Sequence, residues 1–324
     1  MTGRARAVLA IAVSVTACSG RATVAPSVPR EAQRDVQALT RRVTIHYEIQ
    51  GRPFPLPLVS GTIAGRPAMM LVDTGADSHV VAGWLARKLA LPMEKLGDVA
   101  TDHVGRTFAS FRIDHPSIAL DGWGPLAMQT ASAIEVPEAF ERLGIGAIIS
   151  PQRLDEEGDA TLLDLAKGEL RSAWWDKAVV ELQAGSELVH AGDGQTCEDE
   201  DGPAKGLWFV VPATIDARST RLLVDTGAPQ SDVFATSAPG KELDGRSTAS
   251  SAPMYAASGR VAMRVLKGAH VMAGSFATAV DVDLIEGGPD STCPRDGALA
   301  MDVLRSCTLL LGRTQIRGRC APRR

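Results

Sequence analysis

The hydrophobic pattern along the chain changes character twice. After Arg4 and Arg6 comes an uncharged run of 11 residues, Ala7 to Ala17. It is too short to cross a bilayer and has the length of a secretion-signal core. From Arg21 to Arg42 the chain is rich in Ala, Pro, Arg and Gln with no apolar period, which predicts a tether. Beyond it, short apolar runs alternate with turn residues. Leu58 to Ala64 and Phe209 to Ile215 have strand character. Met69 to Val72 and Leu222 to Val224 are unbroken apolar runs, the pattern of strands buried on both faces. Gly65-Arg66-Pro67 and Ala217-Arg218-Ser219 stand where hairpin turns belong. Ala160 to Ser172 and Cys307 to Gly318 read as closing hairpins that turn at Lys167-Gly168 and Gly312-Arg313. Helical pieces are confined to about Val81 to Leu89 and Pro137 to Leu143. The pattern predicts an all-β chain with few short helices.

The runs recur. Thr62 to Ala76 (TIAGRPAMMLVDTGA) and Thr214 to Ala228 (TIDARSTRLLVDTGA) share 9 of 15 residues at an offset of 152. The same offset aligns Arg112 with Arg264 and Gly122 with Gly274, and Ala147 to Leu154 matches Gly297 to Leu304 at 150. A match sustained over this distance reads as duplication. Its period is far above the 20–50 residues of a solenoid repeat, so the expectation is two lobes. The polar stretch Gly192 to Gly206, with five acids before Lys205, reads as the linker. The predicted organisation is a signal at 1–17, a tether at 18–45, an N-terminal lobe at 46–190, a linker at 191–206 and a C-terminal lobe at 207–324.

Composition narrows the function. The net charge is −4 over 324 residues. No basic surplus exists to release counterions from a phosphate backbone, so nucleic acid is not expected as a partner. The apolar run ends in Val15-Thr16-Ala17-Cys18, which resembles the lipobox of bacterial lipoproteins, with an ordinary signal peptide as the alternative. The resemblance implies lipidation at Cys18. With Ser19 rather than Asp next, it implies an outer-membrane anchor facing the periplasm, the only membrane contact expected. Export leaves Cys197, Cys293, Cys307 and Cys320 as disulfide candidates with three possible pairings. Zinc is the weaker alternative: there is no C-x2-C pair and no His at ligand spacing, so no metal or other cofactor is expected.

The chemistry lies in two Asp-Thr-Gly-Ala tetrapeptides at equivalent places in the repeat, each preceded by Leu-Val. A given tetrapeptide arises by chance about once in 160,000 positions. With these motifs the chain resembles the aspartic peptidase superfamily: two lobes in one chain as in pepsin-like enzymes, and a first motif, Asp73 to Ser78, closer to retropepsins. The resemblance implies a bilobal aspartic-peptidase-like fold in which Asp73 and Asp225 are the catalytic pair. Two carboxyls face to face cannot both ionise cheaply and share a proton. One can then act as general base on a water while the other acts as acid. The glycines permit a tight turn. By resemblance Thr74, Gly75, Ala76, Thr226, Gly227 and Ala228 support the site. Asp77, Gly105, Phe108 and Tyr255 are candidate substrate contacts, Gly105 being the tip of a flap at about Asp102 to Phe111. The expected substrate is an extended peptide or protein, and a monomer is expected.

The sequence departs from the family's pattern in three places. The late apolar-apolar-Gly element appears as Ile148-Ile149-Ser150 and Ala298-Leu299-Ala300, the first flap has no Tyr, and Ala76 and Ala228 stand where many relatives have Ser or Thr. Alanine has no hydroxyl for the carboxylate, so the pair is expected to titrate high and to favour mildly acid to neutral pH. Two alternatives stay open: a peptide-binding lipoprotein that does not cut, and an enzyme whose activity needs a dimer. The six His are expected at surface or core positions, and Trp174-Trp175 is expected to pack in a core.

Overall fold

The computed structural model describes residues 41–154, 158–183, 188–189, 195–197, 208–249, 254–256, 259–288 and 294–321. The signal, Cys18, most of the tether and Cys293 lie outside them. Among the described residues no helix is long and apolar enough to cross a membrane.

The chain folds as two β lobes built on one plan. In each, a long hairpin supplies the first two strands: Arg52–Ile63 with Arg66–Val72, and Trp208–Ile215 with Arg218–Val224. The second strand of each hairpin then pairs in parallel with a strand from much later in the lobe. Ile149 lies opposite Val72 in lobe one, and Leu299 lies opposite Val224 in lobe two. These central strands are covered on both faces, which is why their sequences are unbroken apolar runs. The first lobe's sheet spreads outward to the hairpin Glu94–Thr101 and Thr107–Asp114, the second's to Met263–Ala273 and Phe276–Ile285.

A third sheet of six strands joins the lobes. Each lobe donates its closing hairpin, and Ala160–Asp164 pairs antiparallel with Cys307–Gly312, placing Leu162 opposite Leu310. The helix Trp175–Gln183 covers this sheet. A Cβ on Gly312 would sit 2.8 Å from the Trp175 ring, so glycine there lets the tryptophan pack closely against the other lobe's strand. Trp175 is thus a packing residue.

Three sequence boundaries move. Arg42–Thr44, expected in the tether, is a strand on the edge of the six-stranded sheet, with Val43 buried opposite Leu170. Gln195–Cys197, expected in the linker, adds to the second lobe's sheet with Cys197 opposite Trp208. The helix expected over 81–89 begins at Gly83. Val80–Ala82 are instead a buried strand between Thr130–Ile134 and Ile145–Ile149. In all three cases pairing with a strand distant in sequence outweighs local preference.

Cys307 and Cys320 face each other across the last hairpin and are joined by a disulfide. A closed loop with a sequence separation of 13 is worth about 3 kcal/mol in the chain-entropy account. Replacing both cysteines with alanine is expected to lower the unfolding free energy by about that amount, read as a shift of the urea midpoint. An unchanged midpoint would mean the hairpin stays closed in the unfolded chain.

Candidate active site

The two Asp-Thr-Gly loops meet tip to tip between the lobes. Thr74 and Thr226 are fully buried and make a reciprocal brace. The Thr226 N–H donates to Thr74 Oγ1 at 3.0 Å, and the Thr74 N–H donates to Thr226 Oγ1 at 3.0 Å. Each hydroxyl then donates across the interface, Thr74 Oγ1 to the Val224 carbonyl at 2.6 Å and Thr226 Oγ1 to the Val72 carbonyl at 2.8 Å. A hydroxyl is needed because only it can accept and donate at once.

The brace brings the carboxyls together. Asp73 is hydrogen-bonded by the Gly75 N–H at 2.7 Å, and Asp225 by the N–H groups of Gly227 at 2.8 Å and Ala228 at 3.1 Å. Each glycine lies against the other lobe's carboxyl. A Cβ at Gly75 would sit 2.7 Å from the Asp225 carboxyl carbon, and one at Gly227 would run into Asp73. Glycine is therefore required here for space. The Asp73 pKa is raised well above the ordinary carboxylate range. Burial is the largest cause, the charge of Asp225 the next, and a hydrogen bond with the Asp225 carboxyl adds to both. The two carboxyls are thus in contact, and Asp73 is biased toward its protonated form.

Beneath the loops the late strands cross as the motifs suggested. The Asp73 N–H donates to the Ile149 carbonyl at 2.9 Å and the Asp225 N–H to the Leu299 carbonyl at 3.0 Å. Ser150 and Ala300 fill the positions where the resemblance leads one to expect glycine, and both are fully buried. The Ser150 hydroxyl donates to the Ala76 carbonyl at 2.8 Å, so the extra atom is used.

Several supporting residues carried no sequence signal. His79 Nδ1 accepts the Ser150 N–H at 3.1 Å, and at the same place in lobe two Ser231 Oγ accepts the Ala300 N–H at 2.9 Å. Gln152 Nε2 donates to the carbonyls of Thr74 and Ala76. Its counterpart Asp302 accepts from the Ser231 N–H and hydroxyl. Trp208 Nε1 donates to the Gly75 carbonyl at 2.9 Å, tying the second lobe to the first lobe's loop. The repeat offset could have flagged these positions, but the residue types differ between copies.

The candidate substrate contacts separate. Asp77 accepts its neighbour Ser78's hydroxyl at 2.9 Å, and its carbonyl accepts Arg153 Nε at 3.0 Å. Gly105 is the tip of the turn between Glu94–Thr101 and Thr107–Asp114, as expected, with φ of 81°. It packs against the Gly288 carbonyl of lobe two. Phe108 lies on the outgoing strand and Tyr255 on Met254–Ala256, which pairs with Gly259–Val261. Among the described residues no group of His, Cys, Asp or Glu is arranged to hold a metal.

Residues 59–146 match the family described as Aspartyl protease. No curated protein matches the chain. Among solved structures, the chain is similar to an aspartic proteinase from Irpex lacteus, at 12% identity and a TM-score of 0.47, over 87% of this chain and 97% of that one.

Because His79 accepts a backbone N–H through Nδ1, its ring must be neutral. Burial, followed by the charge of Arg153, lowers its pKa to about 4. The unfolded chain, with a His pKa near 6.5, therefore binds more protons than the folded chain between pH 6.5 and 4. Stability from this residue is complete above pH 6.5 and falls as pH drops through that window, by about 3 kcal/mol. The melting temperature of His79→Gln, which keeps an acceptor without the titration, is expected to change less over this range than that of the native protein. Parallel curves for the two would contradict the assignment.

Proposed function

We propose that the chain is an aspartic endopeptidase that hydrolyses peptide bonds with the Asp73–Asp225 pair and a water held between them. The observation carrying the reading is the Thr74–Thr226 brace, which holds two like-charged side chains in contact where either alone would be an ordinary loop acid. The aspartyl protease match over 59–146 supports the same reading.

The chemistry follows from the shared proton. The ionised carboxyl removes a proton from the water as it attacks the scissile carbonyl. The protonated carboxyl gives its proton toward the carbonyl oxygen, and collapse of the tetrahedral intermediate passes a proton to the leaving amine. No covalent enzyme intermediate is needed. Gly75 and Gly227 keep both carboxyls open to the bond, and the N–H groups of Gly75, Gly227 and Ala228 hold the carboxyls in place. An extended peptide is the fitting substrate, because strand edges along a cleft supply backbone hydrogen bonds at regular spacing. We further propose that the N-terminal segment anchors the enzyme through lipid on Cys18 and that it acts as a monomer. Cys18→Ser is expected to move the protein from the membrane fraction to the soluble one.

Asp73→Asn and Asp225→Asn are each expected to reduce cleavage of a denatured protein or peptide library by about 10³-fold or more, since each removes a proton-transfer partner. The fold should survive in both, by circular dichroism. Equal cleavage by wild type and both variants would leave a binding role instead. Loss in only one variant, together with loss of activity on dilution, would point to a dimeric enzyme. The raised Asp73 pKa keeps a proton on the pair into the mildly acid range, so kcat/KM should peak between mildly acid and neutral pH. A maximum below about pH 3 would contradict this.

A further inference from the structure

The turn at 102–106 reaches across from the first lobe and docks on the second. Asp102 preforms it: Oδ1 accepts the N–H groups of Val104 at 3.2 Å and Arg106 at 2.9 Å, and the carbonyl accepts the Gly105 N–H at 3.0 Å. Val104 is 4% exposed and sits in a pocket of lobe two formed by Phe234, Val261 and Ile285. A Cβ at Gly105 would run into the Gly288 carbonyl, and one at Gly287 would sit 2.8 Å from the Val104 Cβ. Glycine on both sides therefore permits the close approach. Arg106 Nη1 donates to the Arg260 carbonyl at 3.0 Å, which ties the turn to the second lobe's hairpin at Gly259–Val261.

One polar contact accompanies this apolar seat. His103 Nε2 lies 2.9 Å from Asp232 Oδ1, and the imidazole packs on Phe234 with centroids 4.9 Å apart. Asp232 has no exposed surface, and it lies in register beside Asp283, a second buried acid. A buried carboxylate is costly without a cation, and here the histidine comes from the opposite lobe.

We propose that His103 and Asp232 form a charge-dependent latch that holds the first-lobe flap on the second lobe and gates entry of peptide to the cleft. The latch rests on this geometry; its effect on turnover rests on the peptidase reading.

The groups facing His103 set its sign. Burial disfavours the imidazolium, but the charge and hydrogen bond of Asp232, then the charge of Asp225, outweigh it, with Arg295 opposing; the net direction is upward from 6.5. Asp283, beside Asp232 in register, is pushed up to about 7 by burial first and then by Asp232, so it gains charge near neutrality. On the flap itself Asp102 and Arg106 flank the histidine. A raised basic pKa means the latch is complete below pH 6.5 and weakens as pH climbs through the raised value. A gate that is mostly shut reduces apparent affinity by its open fraction.

The test is hydrogen–deuterium exchange on the full chain, corrected for intrinsic rates, at pH 6 to 9. Wild-type protection of 102–106 is expected to fall about tenfold over this range, while the strands Arg66–Val72 and Arg218–Val224 stay constant. In His103→Gln and Asp232→Asn the flap should be weakly protected with little pH dependence, whereas Asp283→Asn should keep a pH-dependent flap. Flap protection in wild type that does not change with pH would overturn the latch, whether or not the variants fold. On a peptide that wild type cleaves, His103→Gln should lower KM severalfold while kcat is retained. If the exchange result holds and no peptide is cut, the latch stands and the peptidase reading falls. If peptide is cut but KM and flap protection are both unchanged, the latch falls.

Discussion

Everything at the centre of this molecule depends on two buried hydroxyls. The crossed bonds of Thr74 and Thr226 tie the two loops directly to each other and hold two carboxyls of like charge in contact between separate lobes. Each threonine satisfies one backbone N–H and one carbonyl from the other lobe, four groups that would otherwise be buried unpaired. An unsatisfied buried polar group costs on the order of 1–3 kcal/mol, so the brace opposes the repulsion with several such bonds at once. Burial first, and the charge of Asp225 next, raise the Asp73 pKa, so what repulsion remains favours a proton on Asp73.

The brace would be a weak hinge if it were the only link. The six-stranded sheet makes it a fixed joint, because Ala160–Asp164 and Cys307–Gly312 pair directly and leave no slack between lobes. Trp208 adds a bond from lobe two to the Gly75 carbonyl, within the first loop itself. The loops can therefore be short and glycine-rich without being loose. The backbone of both is bonded below by the late strands and across by the threonines, and that of the first also from the side by the indole.

How much of this the sequence disclosed depended on whether the signal was local. The hairpins at 58–72 and 209–224 were legible because apolar runs and turn residues lie next to each other. The meeting of the two loops in the candidate site was legible because duplication repeated Asp-Thr-Gly-Ala at one offset. Arg42–Thr44 was not, since its partner Glu169–Ala173 is far along the chain and its own residues are charged or polar around one valine. Val81 and Ala82 read as helix because only the position of Val80–Ala82 between two distant strands makes it a strand. The six histidines looked alike in sequence. Burial and partners, visible only in three dimensions, separate His79 as a neutral acceptor and His103 as half of an interlobe pair.

The divergence between the copies shows which parts of the site are constrained by geometry and which by chemistry. Asp, Thr and Gly are identical in both loops; there a hydroxyl that accepts and donates at once, and the absence of a Cβ against the opposite carboxyl, have no substitutes. One layer further out the same backbone N–H is accepted by imidazole in lobe one and by a hydroxyl in lobe two. Any acceptor of suitable reach will serve that purpose, so the residue type is free to drift. Asp232 marks a further difference between the copies. Its place in the repeat corresponds to Val80, a buried apolar residue, yet it carries a carboxylate that meets the other lobe's flap. The two copies are thus alike in the loops that meet at the centre and unlike where the first lobe's turn docks on the second.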